Sequence, residues 1–159
     1  MENKIYLERH KNSDYVVRYT DNGRNERYTW KGAKGNKFSK VGVPDYVYNY
    51  LAMSTTCFKN GELIISEVKD KDKKEELESV LFDQETVKAN SFTKEEVISI
   101  LKSTVQNMKK NFDGVTSQTT KDFIIEVAKE IGLSNTNKLK YLKDLVGSEM
   151  SIEDLFGIN

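Results

Sequence analysis

A single cysteine, Cys57, excludes any disulfide within the chain, and that scarcity fits a reducing compartment. A single histidine, His10, excludes the Cys/His clusters that hold structural zinc, because one of each, 47 residues apart, is no cluster. Long apolar runs are missing too. Runs such as Leu63-Ile64-Ile65 are far too short to span a bilayer. The opening MENKIYLERHK lacks the apolar segment of a signal peptide. The expectation is a protein that is not secreted and has no membrane partner. Net charge is absent as well, with 25 Lys and Arg against 25 Asp and Glu over 159 residues. That balance hides a split. Residues 1–50 carry ten cations and six acids, whereas residues 51–159 carry fifteen and nineteen. The two ends can therefore attract each other or different partners.

What is present reads as β-rich first and helical later. Ile5-Tyr6-Leu7, Tyr15 to Tyr19, Arg27 to Trp30 and Phe38 to Val43 are strand candidates, rich in β-branched and aromatic residues. Asp21-Asn22-Gly23 and Gly32 to Gly35 are reversals between them, and Lys59-Asn60-Gly61 is a turn feeding a further strand candidate, Glu62 to Ser66. Pro44 opens a short helix over 44–53, with Val47, Tyr50 and Leu51 on one face. Residues 69–76, KDKDKKEE, hold no apolar side chain to offset ordering entropy, so they read as a solvated linker or a helix start. Helical spacing at Leu77, Val80 and Leu81 is weak. From Thr93 the pattern is helical throughout. Thr93 and Glu96 form a capping box, followed by Val97, Leu101, Val105, Met108 and Phe112 at helical spacing. A second helix covers Thr119 to Ile131 with Gly132 as its stop, and a third begins at Ser134 or Asn135 and ends at Gly147. Ser151 to Asp154 can cap a last short turn. The class is α+β: a small antiparallel β-rich module with one short helix (1–68), a charged linker with some helical spacing (69–91), and a three-helix bundle (92–159). Such a linker lets two modules engage separate sites.

Chemistry-bearing patterns are sparse. Gly32-Ala33-Lys34-Gly35 has neither the spacing nor the strand-to-helix context of a nucleotide phosphate loop. It also joins two strands, unlike the loop of KH domains, which joins two helices. Cys57 and His10 make a conceivable nucleophile pair, but Cys57 between Thr56 and Phe58 reads as a packed side chain. Asp70, Asp72, Glu75 and Glu76 are interleaved with lysines that compete with a hard cation. No catalytic, cofactor or metal site is expected, and the chain is not expected to be an enzyme.

Two stretches carry a nucleic-acid alternative. Between Arg18 and Lys40 seven cations face two acids, interleaved with Tyr19, Tyr28, Trp30 and Phe38. Cations hold phosphates while aromatic faces stack bases. Hairpin alternation, turning Trp30 and Phe38 inward, produces the same pattern with no ligand. Further on, VAKEIGLSNTNKLKYLKDL, residues 127–145, resembles a helix-turn-helix. Its apolar positions fall one residue late, and Lys138 stands where an apolar residue is usual; an ordinary helical hairpin gives the same look. The nucleic-acid candidates are Arg24, Arg27, Lys31, Lys34, Lys37, Lys138 and Lys140.

Residues 41–67, VGVPDYVYNYLAMSTTCFKNGELIISE, resemble a pattern in small virion-associated proteins of tailed bacteriophages. The elements that carry the likeness are Val43-Pro44-Asp45, Leu51, Phe58, Gly61 and Leu63. The resemblance implies a non-enzymatic head, neck, tail or accessory capsid component, located in a virion or the host cytoplasm. Its partners would be other assembly proteins or further copies in an oligomer or ring. Aromatic anchors carry much interface energy, so Tyr28, Trp30, Tyr46 and Tyr50, with Lys31, Lys34 and Lys37, are the candidate interface residues. A phage inhibitor of a host protein is the remaining alternative.

Overall fold

A computed structural model describes residues 4–81 and 83–157; the outer bounds expected for the first and last segments, residues 1 and 159, lie outside them. Strand β1, Ile5–Arg9, lies between β4, Ser39–Val43, and the two-residue β5, Ile64–Ile65. Both pairings are antiparallel, with Leu7 opposite Val41 on one side and Ile65 on the other. Strands β2, Tyr15–Asp21, and β3, Arg24–Trp30, form a separate two-stranded hairpin. Asn22 and Gly23 close it, both at positive φ (47° and 82°), as a type I′ turn requires.

Helix α1, Asp45–Ser54, starts after Pro44, whose fixed φ suits its place as N-cap residue. It buries Val47, Tyr48, Leu51 and Ala52. These side chains meet Ile5, Leu7, Val17, Trp30, Val43, Phe58 and Leu63 in one apolar core. The acid- and lysine-rich stretch after β5 is ordered. Asp70 caps helix α2, Lys71–Ser79, by accepting from the amides of Asp72 and Lys73. Leu77 and Leu81 then join the β-module core, and the Tyr48 hydroxyl donates to the Leu77 carbonyl at 2.5 Å. Helix α3, Gln84–Asn90, follows. The two modules are thus bridged by docked helices rather than by a solvated spacer, because two leucines among the charges suffice to anchor the segment.

The second half contains α4, Lys94–Leu101; α5, Val105–Phe112; α6, Gln118–Glu130; α7, Thr136–Val146; and α8, Ile152–Phe156. Their inward faces form a second core around Val97, Leu101, Met108, Phe112, Ile124 and Leu142. The α+β class holds. The single helix expected over 93–112 is divided, however. Ser103 turns its hydroxyl onto the Ile100 carbonyl, and the Thr104 hydroxyl accepts from the Asn107 amide as the cap of α5. Adjacent hydroxyl side chains offer the backbone alternatives to the helical ladder. No helix among the described residues is long and apolar enough to cross a membrane.

Candidate functional site

The most densely bonded polar group of residues lies where the two modules meet. Past the end of β1 the alternation of the strand continues, so Arg9 and Lys11 point to one side and Glu8 and His10 to the other. Lys11 is buried, and its ammonium donates to the Asn60 carbonyl (2.9 Å), Glu62 Oε1 (3.0 Å) and Thr119 Oγ1 (2.8 Å), with Thr120 Oγ1 at 3.2 Å. It therefore ties the turn before β5 to the first turn of α6. Arg9 donates to the carbonyl and carboxylate of Glu62 and to the carbonyl and hydroxyl of Ser13. Burial works against both charges of the Lys11–Glu62 pair. It lowers the Lys11 pKa, with Glu62 restoring only part. At Glu62 the combined pull of Lys11 and Arg9 outweighs burial and holds the carboxyl below its usual range.

Asn90 completes this joint. Its side-chain oxygen accepts from the amides of Thr116 and Ser117, both at 2.9 Å, and its amide group donates to the Thr86 carbonyl and Thr116 hydroxyl. The Thr120 hydroxyl donates towards the Asn60 and Asn90 carbonyls, at 2.9 and 3.0 Å. Gly61 passes so close to the Asn90 carbonyl that a Cβ there would collide with it.

On the opposite side, His10 links the modules again. The Lys94 amide, the first of α4, donates to His10 Nδ1 at 3.2 Å, so Nε2 carries the proton and donates to Glu8 Oε1 at 2.9 Å. The ring stacks on Phe38 at 4.3 Å. Lys94 Nζ pairs with Glu130 at 2.7 Å and donates to the Gly35 carbonyl. Clefts of about 340 and 240 Å³ flank this contact, both lined in part by His10, Ala33 and Lys94. Neither member of the conceivable nucleophile pair is poised for attack. Both His10 nitrogens are engaged, and burial pushes the Cys57 thiol up to about 12 against the opposing hydrogen bond from Tyr15. Among the described residues, no group of three or more His, Cys, Asp or Glu side chains could hold a metal ion.

The candidate interface residues are scattered. Trp30 is fully buried and donates from Nε1 to the Leu7 carbonyl; this corrects its expected place among exposed anchors, since it offers a partner no surface. Tyr28 and Tyr46 are half-buried and both donate to Glu26, at 2.8 and 2.7 Å. Tyr50 and Tyr46 pack on Tyr19, and the Arg24 guanidinium lies 5.0 Å over the Tyr46 ring. Lys31 is exposed beside Asp14 at 3.4 Å. Lys34 and Lys37 exchange backbone hydrogen bonds while their side chains remain in solvent. Arg27 stands on the outward face of β3. In the helical module, Lys138 Nζ donates to the Leu101 carbonyl at the end of α4, so its charge serves that helix terminus. Lys140 is exposed, with Asp144 exposed one turn on, which leaves α7 a mixed rather than a basic outer face. The nucleic-acid candidates are therefore split between the hairpin module and α7.

Sequence reasoning missed Arg9, Lys11, Glu62, Asn90 and Thr120. The charged run Glu8 to Lys11 immediately after an apolar strand start was a usable signal for the first two; nothing local marks Asn90.

Two family models cover the chain: the YonA N-terminal domain matches residues 3–83 and the YonA C-terminal domain residues 93–152. No curated protein and no solved structure matches. Since the first model alone spans more than half of the sequence and the second follows it in order, the chain belongs to the YonA family.

Proposed function

We propose that this protein is a non-enzymatic adaptor of a phage-type assembly that works by docking two surfaces held at fixed separation. Membership of the YonA family links the chain to phage-related proteins. The observation that carries the docking reading is the Lys11 ammonium. It is bonded at once to the β module through Asn60 and Glu62 and to α6 through Thr119 and Thr120. A buried charge with this many partners fixes geometry more than it adds stability. An adaptor benefits from such a joint, because rigid presentation lowers the entropy lost when two partners are engaged together. The partners in this reading are other virion or assembly proteins, or further copies in an oligomer or ring, and the location is a virion or the host cytoplasm.

Light scattering of the purified protein, together with mass spectrometry of purified particles, tests the reading. The expected result is a defined oligomer or recovery with the particles. A monomer that is absent from particles overturns it.

A further inference from the structure

The outward face of the β2–β3 hairpin carries an arrangement the rest of the fold does not use. Register places Arg18 directly opposite Arg27, flanked by the pairs Val16–Thr29 and Thr20–Asn25. All of these except the half-buried Thr29 are exposed, and none is acidic. Among the described residues neither guanidinium has a hydrogen bond, ion pair or ring contact. Like charges directly opposed across two strands are unfavourable, and no contact among the described residues relieves this pair. The remaining hairpin cations are engaged: Lys31 with Asp14, and Arg24 over Tyr46.

We infer that this face is a docking site for an acidic polypeptide segment of a partner protein, whose carboxylates the Arg18–Arg27 pair receives. A guanidinium binds carboxylate in a planar, bidentate fashion, and two opposed guanidiniums can take neighbouring acidic side chains of one segment. Exposed Val16, at 42%, supplies an apolar step beside the charges. The face suits nucleic acid poorly. Tyr15, Tyr19, Tyr28 and Trp30 all lie on the other side of the hairpin, so no ring is available to stack a base. Two central cations also make a focus rather than the extended track that a phosphate backbone needs. The inference rests on the docking reading and names the chemistry of one partner.

Fluorescence anisotropy of a labelled oligoglutamate peptide against the full-length protein tests it. The wild type should bind, Arg18→Gln and Arg27→Gln should each weaken binding roughly tenfold, and Lys140→Gln on α7 should leave it unchanged. The melting temperature of Arg27→Thr at low salt should equal or exceed that of the wild type, because a repulsion is removed. No binding by the wild type, equal binding by the arginine variants, tighter binding of a duplex oligonucleotide lost in the same variants, or a lower melting temperature for Arg27→Thr would each overturn the assignment. Oligomerisation and particle recovery do not depend on these outcomes, so the docking reading can fail or survive separately.

Discussion

Gly61 and Gly132 show how differently one residue type is constrained in this chain. Both adopt left-handed backbone, with φ of 64° and 68°, a region in which any Cβ costs about 1 kcal/mol or more. Around Gly132 there is open space, whereas at Gly61 an added methyl would meet the Asn90 carbonyl, which is backbone and cannot swing away. Gly132→Ala should therefore lose about 1 kcal/mol, and Gly61→Ala at least twice that. Urea denaturation of both variants checks this, and equal losses would mean that the joint yields. The turn at Lys59-Asn60-Gly61 was legible from residue type, but its contact with Asn90 was not. Gly61 and Asn90 are 29 positions apart, and no property of either position encodes the approach.

Helices in the second half are set by their caps. The capping box was legible and is present in full: the Thr93 hydroxyl accepts from the Glu96 amide at 3.1 Å, and the Glu96 carboxylate accepts from the Thr93 amide at 3.0 Å. The break before α5 was not read, because Val97, Leu101, Val105, Met108 and Phe112 keep a helical spacing across it. The hydroxyls of Ser103 and Thr104 decide against continuity, and the chain bends so that Leu101 and Met108 can both enter the core. Replacing Thr104 by Ala removes the α5 cap and should cost about 1 kcal/mol, measured as a shift in denaturation midpoint with an unchanged slope. The charged run at 69–76 fitted either a solvated linker or a helix start; the structure has the helix start, capped by Asp70, because burial of Leu77 and Leu81 outweighs the polar composition once a core lies within reach.

Across the molecule, the polar joint should make the two modules unfold together. Trp30 is the only tryptophan and reports on the β core, while far-UV circular dichroism is dominated by the helices. At neutral pH the two signals should share one transition. Acid should weaken the whole fold. The Glu62 carboxyl is held below its usual 4.5 in the folded chain, so its contribution is complete above that value and is lost as pH falls through the folded pKa. Asp14, Glu26 and Asp83 are shifted in the same direction by the Gly32 amide, by the Tyr46 hydroxyl and by Thr86 respectively, and they add to the slope. Glu62→Gln leaves Arg9 and Lys11 without their carboxylate. It should cost about 3 kcal/mol at pH 7 and lose less than the wild type on acidification. Melting temperatures from pH 7 to 3 decide the matter; an acid dependence as steep in the variant would remove Glu62 from the account.

Local rules sufficed for the strands, the Asn22-Gly23 turn, most helix starts and the α+β class, because each depends on a few neighbouring residues through backbone preference and side-chain period. The relation between the halves was beyond such rules. Lys11, Glu62, Asn90 and Thr120 become partners only when the sheet, the docked α2 and α3, and the first turn of α6 are assembled, and hydrogen bonds between positions so far apart leave no mark on local composition. The same assembly turned Trp30 inward and set Arg18 against Arg27 in solvent, because strand register, not residue type, assigns each side chain to the core or to the surface.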